Sequence, residues 1–239
     1  MPAQKHLFVF DFDDTLVQGN TDLQPVDKLA PDLHDTHLNN HTLRQRGWTF
    51  LINEVLGVLH SRNISPDQIL NSAAETPMPT PIQQTLVTLS QTPQVECCIA
   101  SDANSLYIDA CLRANNLSAR NFTAGIFTNP AHVDNDRVFV RPFESESHSC
   151  PQCPVNICKG KVLDGLMSKY LGHKVVYVGD GGNDYCPAKG VPANGYVLPR
   201  KGFRLERRIN DRGQIHAAVR PWATPEELQS IVHDILSNP

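Results

Sequence analysis

Short apolar runs that stop at polar residues recur along the chain and predict β-strands. Each run is five or six residues long and contains valine, isoleucine, phenylalanine or tyrosine, which favour extended backbone. The three runs are His6–Phe10, Val95–Ala100 and Lys174–Val178. They are followed directly by Asp11, by Ser101 and by Gly179-Asp180, so polar groups stand at every predicted strand end.

Helical patterns of apolar residues separate these strands. They cover Ile82–Ser90, Ser105–Asn115 and Lys159–Leu171. Because strands alternate with helices, we predict an α/β fold, a Rossmann-like parallel sheet with helices on both faces. In an open parallel sheet the ligand binds outside the carboxyl ends of the strands, so the polar residues there should meet in one crevice.

The segment between the first two strands is too long for a simple strand-to-helix connection. Its patterns indicate helices around Leu43–Leu59 and Pro66–Ala74. We therefore predict a mainly helical cap inserted over the crevice. The predicted units are a core of residues 1–17 and 82–239 and a cap of residues 18–81. A second excursion, Thr123–Ser149, contains an apolar stretch that predicts a β-hairpin.

Composition gives no reason to expect nucleic acid or a membrane as a partner. The chain has 239 residues, 40% of them hydrophobic, a formal net charge of -4 and no apolar run long enough to span a bilayer. Its amino terminus leads directly into the first strand and lacks the apolar core of a signal peptide. Seven cysteines, an odd number, suit a reducing compartment. We expect a soluble cytoplasmic protein, and composition does not indicate its oligomeric state.

Carboxylates cluster after the first and third predicted strands. Asp11 and Asp13 lie two residues apart, and Asp180 and Asp184 belong to a glycine-rich loop. Neighbouring carboxylates repel each other unless a cation or a shared proton compensates them; a solvated acidic turn is the alternative. Mg²⁺ prefers oxygen ligands and is usually held by one or two carboxylates and substrate phosphate. The pattern therefore indicates a magnesium site and a small-molecule phosphate ester as substrate.

Each role in phosphoryl transfer has a candidate residue. The reaction needs an in-line nucleophile, neutralised phosphoryl oxygens and a proton for the leaving group. Asp11 is the candidate nucleophile and would form an aspartyl-phosphate. Asp13 can protonate the leaving oxygen and later accept a proton from water, provided that its neighbours raise its pKa. Ser101 and a lysine would bind the phosphoryl oxygens.

These residues, taken together, resemble the four ordered motifs of the haloacid dehalogenase superfamily. The matching positions are Asp11-Phe12-Asp13-Asp14-Thr15, Ser101, Lys159 and the Gly179–Asp184 loop. The resemblance implies that Mg²⁺ is held by Asp11, by the Asp13 carbonyl and by Asp180, with Asp184 ligating or orienting from close by. Asp13 stands where the ATPase branch carries threonine, and this implies a phosphatase.

Two lysines compete for the phosphate-binding role, because Lys159 and Lys161 both lie at the start of a predicted helix. The amino-terminal amides of that helix also favour an anion. Lys159 is preferred, since Lys159-Gly160 is similar to the lysine-glycine pattern of phosphoserine-phosphatase-like members. Lys161 is then interpreted as a solvated helix residue.

A narrower resemblance points to the phosphoethanolamine/phosphocholine phosphatase subfamily, which includes pyridoxal-phosphate-preferring and plant or fungal relatives. The segments that carry it are Ser101–Asn104, Cys150–Lys159 and Gly179–Pro187. The resemblance implies that Asp22 and Asp102 face a cationic head group, and carboxylates select an ammonium by complementary charge. The alternatives are that Asp22 begins a helix in the cap and that Asp102 caps a helix.

A second metal is suggested by a compact set of soft ligands: His148, Cys150, Cys153 and Cys158. Such a set can hold structural Zn²⁺ in a tetrahedron. Its spacing departs from common paired zinc-knuckle patterns, so a loop held by ordinary packing is the favoured interpretation.

The sequence therefore predicts a Mg²⁺-dependent phosphomonoester hydrolase, with phosphocholine or phosphoethanolamine as the preferred substrate. Pyridoxal phosphate, thiamine monophosphate and pyrophosphate are alternatives. A phosphomutase or phosphotransferase would pass the phosphoryl group from Asp11 to another hydroxyl. A catalytically silent binding scaffold would keep the fold without turnover.

Overall fold

A sheet of six parallel strands forms the centre of the molecule in the computed structural model, which describes residues 4–146, 148–153 and 155–237. The strands of the chain are, in order, β1 (His6–Phe10), β2 (Val95–Asn104), β3 (Gly125–Asn129), β4 (Ala131–Asp134), β5 (Arg137–Val140), β6 (Lys174–Gly179), β7 (Tyr196–Pro199) and β8 (Ala218–Val219). Strands β4 and β5 form a separate hairpin, and the other six form the sheet. The order across the sheet is β3-β2-β1-β6-β7-β8, with β1 between β2 and β6. The predicted parallel α/β fold is confirmed.

Helices connect the strands and cover the sheet. They are α1 (Gln24–Leu29), α2 (His41–Gln45), α3 (Trp48–Ser61), α4 (Pro66–Ala74), α5 (Thr80–Gln91), α6 (Ser105–Ala114), α7 (Lys159–Lys169), α8 (Tyr185–Gly190), α9 (Arg204–Arg212) and α10 (Pro225–Ser237). Short turns of π-helix at His34–Leu38 and of 3-10 helix at Ala119–Asn121 and Gly182–Asp184 complete the set. Within the described ranges, every helix is too short or too polar to cross a membrane.

Strand β1 is buried on both faces, which explains its unbroken apolar sequence. Its Phe8 and Phe10 pack with apolar residues of α5 and α10, whereas Leu7 and Val9 pack on the opposite face with α7 and α8. Successive side chains of a strand point to opposite faces, so a strand between two helical layers needs apolar residues throughout. Burying each such side chain contributes about 1.5–3 kcal/mol, and this fixes the strand that leads to Asp11.

Helices α1, α3 and α4 share a third apolar cluster with the β4–β5 hairpin, to which Val138 and Val140 contribute. The hairpin is as predicted, and its two strands pair antiparallel. The single helix expected over Leu43–Leu59 is instead divided into α2 and α3, because Gly47 has a φ of 103° that a right-handed helix does not allow. The division of the chain into core and cap stays a prediction.

Candidate active site

Three strand ends deliver the predicted acids to one edge of the sheet. Asp11 follows β1, Ser101 and Asp102 lie near the end of β2, and Asp180 follows β6. Because these strands are parallel neighbours, their carboxyl ends lie side by side. Carboxylate oxygens of Asp11, Asp180 and Asp184 all lie within 4.8 Å of one another.

Lys159 is the cation that joins this acidic group. It is the first residue of α7, its side chain is 1% exposed, and its Nζ lies 2.8 Å from Asp11 Oδ1 and 2.7 Å from Asp184 Oδ1. Burial favours the neutral amine, but the Asp11 and Asp184 carboxylates outweigh it and raise the pKa of Lys159, so the ammonium stays charged. The Lys161 side chain is half-exposed, and its Nζ lies 3.6 Å from Glu144 Oε2 and not beside these acids.

The Asp184 carboxylate organises the loop beside Lys159. Its Oδ1 accepts hydrogen bonds from Lys159 Nζ and from the Tyr177 hydroxyl at 2.6 Å. Its Oδ2 accepts from the amides of Asp180 at 3.1 Å and of Gly181 at 2.8 Å. A Cβ at Gly179 would lie 2.6 Å from Asp184 Oδ2, so only glycine leaves room for this carboxylate. With four donors, Asp184 holds both Lys159 and the backbone of its own loop.

Asp11 and Asp13 occupy different environments within the same turn. Asp11 Oδ1 accepts from the Phe12 amide at 2.7 Å as well as from Lys159. Asp13 Oδ1 accepts from the amide of Thr21 at 2.9 Å. Burial raises the pKa of Asp11, helped by Asp184 and opposed by Lys159. Burial and the Asp22 charge raise the pKa of Asp13 well above its usual value, which favours a protonated carboxyl.

Asp180 is the third acid of this group. Its Oδ1 accepts a hydrogen bond from the Thr15 hydroxyl at 3.3 Å. Burial, followed by the charges of Asp184 and Asp14, raises the pKa of Asp180 to about 7. Three carboxylates share this space with one ammonium, so the donor set fits a hard divalent cation bound to oxygen.

Ser101 lies at the floor of the same edge, where it is fully buried. Its Oγ accepts a hydrogen bond from the Ala103 amide at 3.2 Å, which leaves the hydroxyl hydrogen free to point at an anion. Ser101 therefore lies inside β2, three residues before the strand ends, with its hydroxyl near the carboxyl edge of the sheet.

The two proposed head-group acids, Asp22 and Asp102, lie near each other but differ in burial and in hydrogen-bond partners. Asp22 is 7% exposed and accepts hydrogen bonds from the Trp48 indole at 2.7 Å and from the Asn104 amide at 3.5 Å. Burial raises the pKa of Asp22 to about 7, although the Trp48 hydrogen bond opposes this. Asp102 accepts from the Asn183 amide at 3.1 Å, and both Asp102 and Trp48 line the cavity.

A cavity of about 780 Å³ opens above the acids. Aspartates line its base. Arginines of α2 and α9 line its wall. The charged and aromatic residues that line it are Asp11, Asp13, Asp14, Arg44, Trp48, Asp102, Asp180, Phe203, Arg204, Arg207 and Arg208. This volume is within the usual range for small-ligand sites, so the cavity can hold a small metabolite.

Several residues of this site had no distinctive signal in the sequence. Tyr177 lies inside an apolar strand pattern, and Trp48 lies on a helix whose distance from β1 the sequence does not reveal. Arg200 donates a hydrogen bond to the Asp14 carbonyl and supports the turn after Asp11. The α9 arginines follow β7, a strand that was not predicted. The one sequence signal for Arg200 is its position directly after the short apolar run Tyr196–Pro199.

The cysteine cluster differs from the predicted one. Sulfur atoms of Cys150, Cys153, Cys158 and Cys186 lie within 4.8 Å of one another. The prediction named His148 as the fourth ligand, but Cys186 occupies this place and His148 Nδ1 instead accepts a hydrogen bond from the Cys150 amide at 3.3 Å. Cys186 was missed because it lies 28 residues after Cys158 and joins the cluster only through the fold.

The fold of the chain is shared with a solved hydrolase. A haloacid dehalogenase family hydrolase from Salmonella enterica serovar Typhi superposes with a TM-score of 0.66 at 13% identity, covering 98% of this chain and 73% of that chain. This likeness concerns the fold.

The chain belongs to the family described as "Putative Phosphatase", which it matches over residues 6–236. It is 32% identical over 240 residues to inorganic pyrophosphatase 2 of Arabidopsis thaliana, with 97% of this chain and 84% of the relative covered. It is 31% identical over 243 residues to the pyridoxal phosphate phosphatase PHOSPHO2 of Mus musculus, with 95% and 96% covered. The chain is therefore a phosphatase, as the motifs predicted, and it shares the fold of a haloacid dehalogenase family hydrolase.

Proposed function

We propose that the protein is a Mg²⁺-dependent phosphomonoester hydrolase in which Asp11 is the nucleophile. The observation that carries this proposal is the buried contact of 2.8 Å between Asp11 and Lys159, beside the carboxylates of Asp180 and Asp184. Asp11, Asp180 and the Asp13 carbonyl would hold Mg²⁺, with Asp184 close by. When bound, the ion neutralises charge on the phosphate.

The reaction proceeds in two displacements. A carboxylate oxygen of Asp11 attacks phosphorus, the bond from phosphorus to the ester oxygen breaks, and Asp13 gives its proton to the departing alcohol. Water then attacks phosphorus of the aspartyl-phosphate and gives a proton to Asp13. Inorganic phosphate leaves and the Asp11 carboxylate is restored.

The other side chains hold the phosphoryl group in place. Lys159 donates to a phosphoryl oxygen from its fixed position between Asp11 and Asp184, and Ser101 donates from the end of β2. The raised pKa of Asp13 supports its role as proton donor at neutral pH. Preorganised donors of this kind are each worth about 10²–10³ in rate.

A cationic leaving group, as in phosphocholine or phosphoethanolamine, is the first candidate. Asp102 lines the cavity and offers a carboxylate, and the Trp48 ring lines it as well. The indole N–H of Trp48 is fixed by Asp22, so Asp22 supports the head-group side indirectly. An acid together with an aromatic ring suits an ammonium ion.

An anionic leaving group is the second candidate, because Arg44, Arg204, Arg207 and Arg208 also line the cavity. Arginine binds phosphate and carboxylate oxygens in pairs. The relative named as an inorganic pyrophosphatase supports this alternative, because the leaving group of pyrophosphate is itself phosphate. Thiamine monophosphate, with a cationic ring, belongs with the first candidate.

The experiment is a comparison of kcat/KM for phosphocholine, phosphoethanolamine, pyridoxal phosphate, thiamine monophosphate and pyrophosphate with Mg²⁺ present. The first candidate predicts that cationic substrates are preferred and that Asp102→Asn lowers kcat/KM for them about tenfold or more relative to pyrophosphate. The second candidate predicts that pyrophosphate is preferred over the cationic substrates. It also predicts that Arg207→Gln lowers kcat/KM for pyrophosphate more than for those substrates. Failure to release phosphate from any of these substrates would support the silent scaffold, and release only with an acceptor hydroxyl would support a phosphotransferase.

A further inference from the structure

Four cysteines from two parts of the chain converge beside the phosphate site. Cys150 and Cys153 lie in the segment that follows the hairpin, Cys158 immediately precedes α7, and Cys186 lies on α8. All four sulfur atoms lie within 4.8 Å of one another. Cys97, Cys98 and Cys111, in contrast, are buried in the apolar clusters of the sheet.

The distances between these sulfur atoms fit the edges of a metal tetrahedron. Tetrahedral zinc with four bonds to sulfur of about 2.3 Å places neighbouring sulfur atoms about 3.8 Å apart. Cys186 Sγ lies 3.7 Å from Cys150 Sγ and 4.0 Å from Cys158 Sγ. A disulfide requires a sulfur separation of about 2.05 Å and would join the thiols only in pairs.

The surrounding backbone also suits negatively charged sulfur. Gly160, in the first turn of α7, lies against the cluster, because a Cβ there would lie 3.7 Å from Cys158 Sγ. Helix α7 has eleven residues, and the amino-terminal end of a helix stabilises anions. A Cβ at Gly160 would lie 2.7 Å from Cys186 Sγ, so glycine at this position allows the sulfur to approach the start of α7.

We propose that Cys150, Cys153, Cys158 and Cys186 form a closed structural Zn²⁺ site. Four thiolates complete the tetrahedron without an open position, so the ion holds the chain together and takes no part in phosphoryl transfer. Thiolate ligands distinguish this site from the magnesium site, where only oxygen ligands are offered. The proposal does not depend on which phosphate ester the enzyme hydrolyses.

The zinc site connects two segments that carry the phosphate site. Cys158 directly precedes Lys159, and Cys186 lies two residues after Asp184. The Lys159 and Asp184 side chains meet at 2.7 Å, so the metal would fix the two backbones on which this contact depends. Loss of zinc should therefore lower both the melting temperature and turnover.

The test is the metal content of the full chain, expressed with zinc in the medium, purified under reducing conditions and measured by elemental mass spectrometry. We expect one zinc per chain in the wild type, in Cys97→Ala and in His148→Ala. Cys150→Ser and Cys186→Ser should lose it. Cobalt(II) exchanged into the wild type should show thiolate-to-cobalt charge-transfer absorption, which His148→Ala keeps and Cys186→Ser loses.

Native mass spectrometry and thiol alkylation of the wild type provide a second measurement, which does not require any variant to fold. A bound zinc should protect four thiols from alkylation until a chelator removes it, and removal should lower the melting temperature. A wild type that contains no zinc, contains iron instead, or forms disulfides among these four cysteines would overturn the proposal. Zinc retained at full content by Cys186→Ser would overturn the ligand set.

Discussion

Lys159 Nζ lies between two buried carboxylates, 2.8 Å from Asp11 Oδ1 and 2.7 Å from Asp184 Oδ1. Asp184 in turn holds the amides of its own loop, so one ammonium links Asp11 to the loop after β6. Removing one partner of a buried ion pair costs about 3–5 kcal/mol, because charge is left without compensation. The predicted nucleophile and the stability of the fold therefore depend on the same contact.

Replacement of this lysine should damage both stability and activity. Lys159→Met removes the ammonium, so we expect the free energy of unfolding to fall by about 3 kcal/mol or more and kcat/KM by at least about 10². Urea unfolding and turnover of a responsive phosphate ester measure the two effects. Lys161→Met is the matched control, because Lys161 is half-exposed and its loss should change stability by less than about 0.5 kcal/mol. Equal losses in both variants would contradict this account.

Gly179 offers a test of the position of Asp184. In Gly179→Ala the new Cβ would lie 2.6 Å from Asp184 Oδ2, so the carboxylate must move and turnover should fall at least about tenfold. Gly165, which lies on α7, provides the control Gly165→Ala, because a Cβ there would meet nothing within 4 Å. Alanine favours helix there, so this variant should keep its activity and gain up to about 1 kcal/mol. Wild-type turnover in Gly179→Ala would show that activity does not depend on this position of the Asp184 carboxylate.

The pH dependence of stability should report the burial of Asp22. Its pKa is raised to about 7 in the folded protein, so the folded state binds a proton that the unfolded state releases at lower pH. Stability contributed by Asp22 is therefore present at acidic pH and is lost as pH rises towards 7. Between pH 5 and pH 8 the wild type should lose at least about 1.4 kcal/mol relative to Asp22→Asn, the equivalent of one pKa unit.

Urea unfolding at the two pH values measures this difference. Asp32→Asn is the control, because Arg62 holds the pKa of Asp32 below its usual value and its titration lies below this range. Parallel pH profiles of the wild type and Asp22→Asn would mean that Asp22 is charged throughout.

The meeting of the acids at one edge of the sheet could be predicted, because it follows from local rules. Strand β1 has the predicted bounds, and polar residues after parallel strands must meet at one edge. Lys159 and Lys161 both lie at the start of one predicted helix, so the choice of Lys159 came from its resemblance to a lysine-glycine pattern. Helix α4 also has its predicted bounds, since Ser65 and Gln68 form a capping box before an apolar pattern.

The parts that were missed depend on contacts between distant segments. Strands β7 and β8 have four and two residues, too few for a periodic pattern to be distinctive. Cys186 joins three cysteines only because α8 packs against α7, and Tyr177 reaches Asp184 only because the loop turns back over β6. These relationships require the tertiary fold.

The formation of an aspartyl-phosphate on Asp11 is the most direct test of the central claim. The wild type would be mixed with a ³²P-labelled substrate and Mg²⁺ and quenched in acid within one turnover, and the labelled peptide would be identified by mass spectrometry. We predict a base-labile phosphoryl group on Asp11 that is absent, together with turnover, in Asp11→Asn. Label on another residue, or wild-type turnover by Asp11→Asn, would contradict the account.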